Sequence, residues 1–212
     1  RITGKENIEY FNSIGVLGER TVFAHCIHLN ENEIELIRSK KAKIAHCPSS
    51  NLKLGSGVAD IPGYLKKGIN VSLGADGAPC NNNLSCLNEM RLASLIQKPK
   101  YGSAAMSAQE VIKMATINAA EALGIANETG SIEPGKKADL LLMDLNGINN
   151  PLNDVDIYSS IVYSADVTNI KEVLIEGEWV ISKGESVIYN EQELVSEGKE
   201  ELKKLIERTN TR

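Results

Sequence analysis

Ile69-Asn70-Val71-Ser72-Leu73-Gly74-Ala75-Asp76-Gly77 reads as an apolar strand, carried by Ile69, Val71 and Leu73, that stops at one acidic residue and a glycine turn. A carboxylate where a buried strand ends sits where parallel α/β folds keep their chemistry. Two earlier strand ends carry histidine instead: Val22-Phe23-Ala24-His25-Cys26 and Lys43-Ile44-Ala45-His46-Cys47. Together the three ends offer much of a metal-assisted hydrolytic site.

Working outward, strand and helix alternate. Strand 21–26 leads to helix 31–40, where Asn30 and Glu33 stand at the N-cap and N3 positions and Ile34, Leu36 and Ile37 supply the apolar face. Strand 43–47 leads to helix 58–67, closed by Gly68. Strand 69–75 leads to helix 85–97, with Leu87, Met90, Leu95 and Ile96 expected to face inward. Units of about 25 residues in this order predict a parallel sheet with helices packed outside it. A short helix on Ile8, Phe11 and Ile14 precedes the first strand. A single helix over 107–123 follows the third unit, with Ser107 and Glu110 as a capping box, Val111, Met114, Ala115 and Leu123 on its apolar face and Gly124 as its stop.

The style changes after that helix. Gly130-Ser131-Ile132-Glu133-Pro134-Gly135 is turn chemistry. Ala138–Asp144, Ile170–Glu176 and Glu178–Lys183 are short strands, the last pair punctuated by Gly177 and Gly184, and predict an antiparallel layer. A charged helix over 191–208 carries Leu194, Leu202, Leu205 and Ile206. Two segments are expected, 1–125 and 126–212. Three parallel strands cannot close a barrel and would leave two open edges. The chain therefore reads as the C-terminal part of a larger α/β barrel, and its opening on Arg1 rather than Met agrees with an upstream segment.

Composition narrows the function classes. The 212 residues are 42% hydrophobic, enough for a sizeable core. A net charge of −5, with no basic run beyond Lys-Lys pairs, argues against a nucleic-acid partner. No apolar run approaches the roughly 18–20 residues of a membrane span. The four cysteines, 26, 47, 80 and 86, lack zinc-ribbon spacing and read as reduced thiols in a cytoplasmic protein, Cys26 and Cys47 as small buried hydrophobes.

Four motifs carry a family resemblance: Ala24-His25-Cys26-Ile27-His28-Leu29, then His46-Cys47-Pro48-Ser49-Ser50-Asn51-Leu52-Lys53-Leu54-Gly55-Ser56-Gly57, then Leu73-Gly74-Ala75-Asp76-Gly77-Ala78-Pro79-Cys80-Asn81-Asn82-Asn83, and Glu89-Met90-Arg91-Leu92-Ala93. In this order the chain resembles the C-terminal half of an amidohydrolase-superfamily enzyme. The branch is that of methylthioadenosine/S-adenosylhomocysteine deaminases, 5′-deoxyadenosine deaminases and triazine hydrolases. The resemblance covers about residues 8–190, and Gly130–Leu141 resembles the segment that returns the chain to the family's β-sandwich.

The resemblance implies an α/β fold: the C-terminal part, about strands six to eight, of a metal-dependent (β/α)8 TIM barrel, followed by part of a small composite β-sandwich. It implies one divalent metal, zinc first and iron(II) as the alternative, held by a His-x-His pair, a fifth-strand histidine and an eighth-strand aspartate. Asp76 matches that aspartate as metal ligand and catalytic group, and His25 matches the catalytic histidine beside the metal-bound water. The His-x-His pair and the fifth-strand histidine have no counterpart among the three histidines 25, 28 and 46. The missing N-terminal half is thus an expected partner, a homo-oligomer is expected, and the isolated chain is expected to be inactive.

The loop Cys80–Asn83 is expected to overhang the pocket, with Cys80 and Asn81 touching substrate. His28 is read as a structural or rim residue, and His46 as an anchor of the Pro48–Asn51 turn or a participant in catalysis. Asn51 is read as bracing its own loop, and Glu89 and Arg91 as helix residues without a site role. The implied reaction is hydrolytic deamination of an aminated N-heterocycle, an adenosine-type nucleoside before a triazine or guanine. A catalytically silent scaffold is the competing class.

Overall fold

The computed structural model describes residues 4–148, 150 and 156–210. Residues 1–3, 149, 151–155 and 211–212 of the two expected segments lie outside the described residues. Two compact units are present. The first runs through Lys136 and takes back Leu145–Val167; the second is Lys137–Asp144 with the chain from Thr168 onward. The first stretch of the first unit ends at Lys136. Residues 145–167 return to the first unit because Arg91 reaches them, its Nε donating to the Val162 carbonyl at 3.3 Å and its Nη2 to the Ala165 carbonyl at 2.8 Å.

The first unit begins with α1 (Asn7–Ser13), β1 (Val22–Ala24), α2 (Glu31–Ser39) and β2 (Lys43–His46). The capping box forms as the sequence predicts: Asn30 Oδ1 accepts the Glu33 N–H at 2.9 Å and Glu33 Oε2 accepts the Asn30 N–H at 3.1 Å. The other oxygen of buried Glu33 accepts the Ile8 N–H at 3.2 Å and ties α1 to α2. Two short helices follow, α3 (Pro48–Lys53) and α4 (Ile61–Lys66), then β3 (Val71–Leu73). The expected helix 58–67 starts at 61 because Asp60 caps it, Oδ1 accepting the Gly63 N–H at 3.0 Å.

The strands are parallel in the order β1-β2-β3, with Ala24 opposite Ala45 and His46 opposite Leu73. Ile44, His46 and Val71 are fully buried, while Ala24 is exposed and Ala45 half-buried. One sheet face is therefore packed. Phe11 of α1 meets Phe23 there, ring centres 5.7 Å apart. Among the described residues no strand pairs with the outer edges of β1 and β3.

The unit continues with α5 (Ala78–Asn81), α6 (Cys86–Leu95), α7 (Lys98–Tyr101), α8 (Ala108–Ala115), α9 (Ile117–Leu123) and the turn α10 (Ile157–Ser159). Two apolar assignments need correction, since Leu95 and Leu123 are exposed. The buried stripe of α6 runs instead through Leu87, Met90, Ala93 and Ser94, and on to Gln97, and it accepts polar groups because their bonds are made. Ser94 Oγ donates to the Met106 carbonyl at 2.7 Å and Gln97 Nε2 to the Ala59 carbonyl at 3.0 Å. The single helix expected over 107–123 breaks at Thr116 (φ −124°, ψ −98°). The Thr116 hydroxyl donates back to the Ile112 carbonyl at 2.7 Å, a local bond that competes with the helical ladder.

The second unit is an antiparallel sheet in the order β4 (Leu140–Met143), β5 (Ile170–Ile175), β6 (Glu178–Ser182) and β7 (Glu185–Ser186). Two-residue turns join the last three strands, Glu176-Gly177 (φ 52° and 86°) and Lys183-Gly184 (φ 55° and 82°). Paired positive φ values mark turns whose twist matches the strands they connect. The helix α11 (Glu191–Asn210) follows, with Leu194, Leu202, Leu205 and Ile206 exposed. None of the helices among the described residues is long and apolar enough to cross a membrane.

Candidate active site

The strand ends bring His25 and Asp76 together across β2. His25 Nε2 lies 3.9 Å from Asp76 Oδ2, and both side chains remain partly open to solvent. Each residue lies just past its strand in the left-handed region, His25 directly after β1 at φ 69° and Asp76 beyond Gly74 and Ala75 of the β3 end at φ 61°. For a residue with a Cβ that conformation costs about 1–2 kcal/mol, and such strain persists where the surroundings fix it.

Those surroundings are supplied largely by α3, a segment expected as a turn. Pro48 occupies its first turn, a position where the missing N–H costs nothing, and this was the available signal for a helix. Ser50 Oγ donates to Asp76 Oδ2 at 2.6 Å, and the Gly77 N–H donates to Asp76 Oδ1 at 2.7 Å. The Ser50 hydroxyl first, and the Gly77 amide second, hold the Asp76 carboxyl below the usual carboxylate range. The Cys80 side chain adds the smallest of these influences on the Asp76 carboxyl.

Asn51 Oδ1 meets His25 Nδ1 at 2.8 Å. Asn51 is buried, and its Nδ2 has no hydrogen-bond partner among the described residues. An unsatisfied buried amide costs about 1–3 kcal/mol. Asn51 therefore braces His25 rather than its own loop.

Buried Glu89 of α6 also takes part, contrary to the sequence reading. Its Oε2 accepts the Ser49 N–H at 3.1 Å and its Oε1 accepts from Asn81 Nδ2 at 2.8 Å. The Asn81 side-chain amide is engaged within the protein at both ends. Its Nδ2 donates to Glu89 and to the Ala75 carbonyl at 2.7 Å, and its Oδ1 accepts from the Asn83 and Leu84 amides, each at 3.3 Å. With the amide spent on its own loop, Asn81 is a brace behind Asp76. Lys53 grips the same loop, its Nζ donating to the Pro79 carbonyl at 2.6 Å and to Asn82 Oδ1.

The other candidates lie outside this pair. His28 Nε2 is 2.9 Å from the Ser56 carbonyl and links two loops. The ring of His46 anchors nothing: it is fully buried and neither nitrogen has a partner among the described residues. Burial first, and nearby His25 second, push the His46 imidazole down to about 4. Burial pushes the Cys26 thiol up to about 12 and the Cys47 thiol up to about 11. Neither is a ready thiolate at neutral pH.

The His46 shift has a consequence for stability. The unfolded chain takes up an imidazole proton near pH 6.5, the folded chain only near 4. Protonation therefore favours unfolding, so stability is level above about 6.5 and falls as pH drops toward 4. The expected loss is on the order of 3 kcal/mol. Urea midpoints of the chain and of His46→Leu, compared between neutral and mildly acid pH, check this. Parallel declines in both proteins would refute it.

The donor set has a clear shape. Among the described residues no group of three or more His, Cys, Asp and Glu side chains could hold a metal ion. Asp76, hydrogen-bonded and open toward His25, has the donor chemistry of a single carboxylate ligand, fewer than the three protein ligands a catalytic zinc takes.

Comparison with known proteins agrees with the fold. Residues 2–180 match the Amidohydrolase family, and the chain belongs to that family. It is 38% identical over 205 residues to a 5-methylthioadenosine/S-adenosylhomocysteine deaminase of Syntrophomonas wolfei, covering 96% of this chain and 47% of that protein. It is 40% identical over 200 residues to a 5′-deoxyadenosine deaminase of Methanobrevibacter smithii, covering 94% and 46%. Among solved structures, an adenosine deaminase from Xanthomonas campestris with bound zinc superimposes with a TM-score of 0.89 at 30% identity, over 93% of this chain and 45% of that one. The chain thus spans about half the length of the curated relatives it matches.

Proposed function

We propose that this chain supplies the C-terminal strands, about the sixth to eighth, of a metal-dependent (β/α)8 barrel deaminase acting on an adenosine-type nucleoside. The antiparallel unit belongs to the composite β-sandwich of such an enzyme. The observation that carries the reading is the meeting of His25 and Asp76 at the ends of two strands that do not pair with each other. The open edge of β1, with a cleft of about 570 Å³ lined by Phe11, Phe23, His25 and Glu33, suits the addition of a preceding strand from the partner half.

Asp76 is the ligand this chain offers to one divalent metal, zinc on the pattern of the relatives, with iron(II) as the alternative. Such a metal would lower the pKa of a bound water toward ~7 and polarise the reacting centre. The chain's own residues then set the proton traffic. With Asn51 Oδ1 accepting from Nδ1–H, neutral His25 presents a bare lone pair at Nε2. A water between Nε2 and Asp76 Oδ2 can donate one hydrogen to each and turn its own lone pair toward substrate. As the C–O bond forms at the amine-bearing carbon of the heterocycle, the ring C=N π bond opens and its electron pair moves to the ring nitrogen. The proton passes from the carboxylate to the departing amine, and the C–N bond breaks to release ammonia. His25 takes the other water proton, stabilises the developing charge and passes that proton on to the ring nitrogen, so that both protons of the water are placed. Cys80, four residues after Asp76 on the same loop, is the proposed substrate contact.

The test is ammonia release from adenosine, 5′-deoxyadenosine, methylthioadenosine and S-adenosylhomocysteine, with zinc or iron(II), by the chain joined to the complementary barrel half of a relative. Metal-dependent release from at least one of the four is expected. A metal-loaded, folded protein that releases none overturns the nucleoside reading.

A further inference from the structure

We propose that α3 is the positioning element of this site, with Ser50 and Asn51 as positioning residues that set the acid and the imidazole respectively. The proposal rests on the reading of His25 and Asp76 given above and deepens it.

Three observations carry it. First, consecutive residues project about 100° apart around a helix, so one short element can reach two groups from different strands. Ser50 takes Asp76, 26 residues away in sequence, and Asn51 takes His25, also 26 residues away but in the other direction. Second, both positioning side chains are buried, which leaves them no competing solvent contacts, and Asn51 holds its place with an unpartnered Nδ2. A side chain kept there against its own satisfaction is accounted for by what its Oδ1 does to His25. Third, α3 is fixed at both ends. Glu89 accepts the Ser49 amide at one end and Lys53 grips the loop after Asp76 at the other.

The two prongs do different chemistry. Ser50 spends its proton on the oxygen that faces His25, so the carboxylate cannot swing away from the gap. Asn51 fixes the imidazole proton on Nδ1 and thereby leaves Nε2 as the acceptor in that gap. Losing either leaves the reacting groups present but unset.

The test has one arm that needs no activity. The chain contains three histidines, so long-range ¹H–¹⁵N spectra of the ¹⁵N-histidine-labelled full chain at mildly alkaline pH resolve the tautomer of each. The imidazole that disappears in His25→Gln is expected to carry its proton on Nδ1. Asn51→Leu should return it to a tautomer mixture, Asn51→Asp should hold it, and Ser50→Ala should leave it alone. If Asn51→Leu does not fold, Asn51→Ala gives the same readout. In the metal-loaded, barrel-completed enzyme, Asn51→Leu should lower kcat by about 10–100-fold with KM within about twofold. Ser50→Ala should weaken metal retention by about 10–100-fold in chelator competition.

An unchanged His25 tautomer and kcat in Asn51→Leu would overturn the positioning role while leaving the deaminase reading intact. The expected tautomers in a wild-type protein that deaminates no nucleoside would support the positioning role and sink the substrate assignment alone.

Discussion

Asp76→Asn is expected to leave the barrel-completed protein folded, without tightly held metal, and slower by at least about 10³-fold. The substitution keeps the side chain's shape, and its carbonyl oxygen can still accept from Ser50, so the strand end should survive. What disappears is the negative charge and the capacity to carry a proton. His25→Ala gives the contrasting pattern: turnover is expected down by about 10²–10⁴-fold with most of the metal retained, because the proposal gives the ion to the carboxylate and the proton to the imidazole 3.9 Å away. Metal analysis after dialysis, together with steady-state kinetics, separates the two. Full metal occupancy and an unchanged rate in both variants would refute the assignment of both residues.

The 212-residue chain by itself is expected to hold no metal tightly and to release no ammonia, whereas the completed barrel does both. A catalytic zinc takes about three protein ligands plus water, and the described residues offer no group of three candidate donors. The open edges of β1 and β3 add a structural reason, since unpaired strands seek a partner. Metal titration and the ammonia assay, run on the chain with and without the complementary half, read this out. Robust metal-dependent turnover by the chain alone would show that its own residues complete the site.

The parallel layout was readable because each unit announced itself locally, by an apolar strand, a capped helix and a stop. Asn30 with Glu33 is the clearest case. His25 and Asp76 stood out because a polar residue at the end of an apolar strand is a local signal too. The supports were not readable, since Ser50 and Asn51 act on residues 26 positions away and Glu89 on one 40 positions away. A helix periodicity cannot say which of two adjacent stripes will be covered, which is why Leu95 and Leu123 were placed inward and lie exposed. The bonding of Asn81 was hidden for a related reason. Its residue type suits a substrate contact, but only the folded loop reveals that its amide is already spent.

Anomalous scattering from crystals of the zinc-loaded, barrel-completed protein locates the metal without assuming a mechanism. The ion is expected within about 2.0–2.2 Å of an Asp76 carboxylate oxygen, its other protein ligands coming from outside this chain. His25 Nε2 should lie beside the site with its Nδ1 still on Asn51. A zinc held by His25 with Asp76 turned away, or one bound far from both strand ends, would contradict the site proposed for this chain.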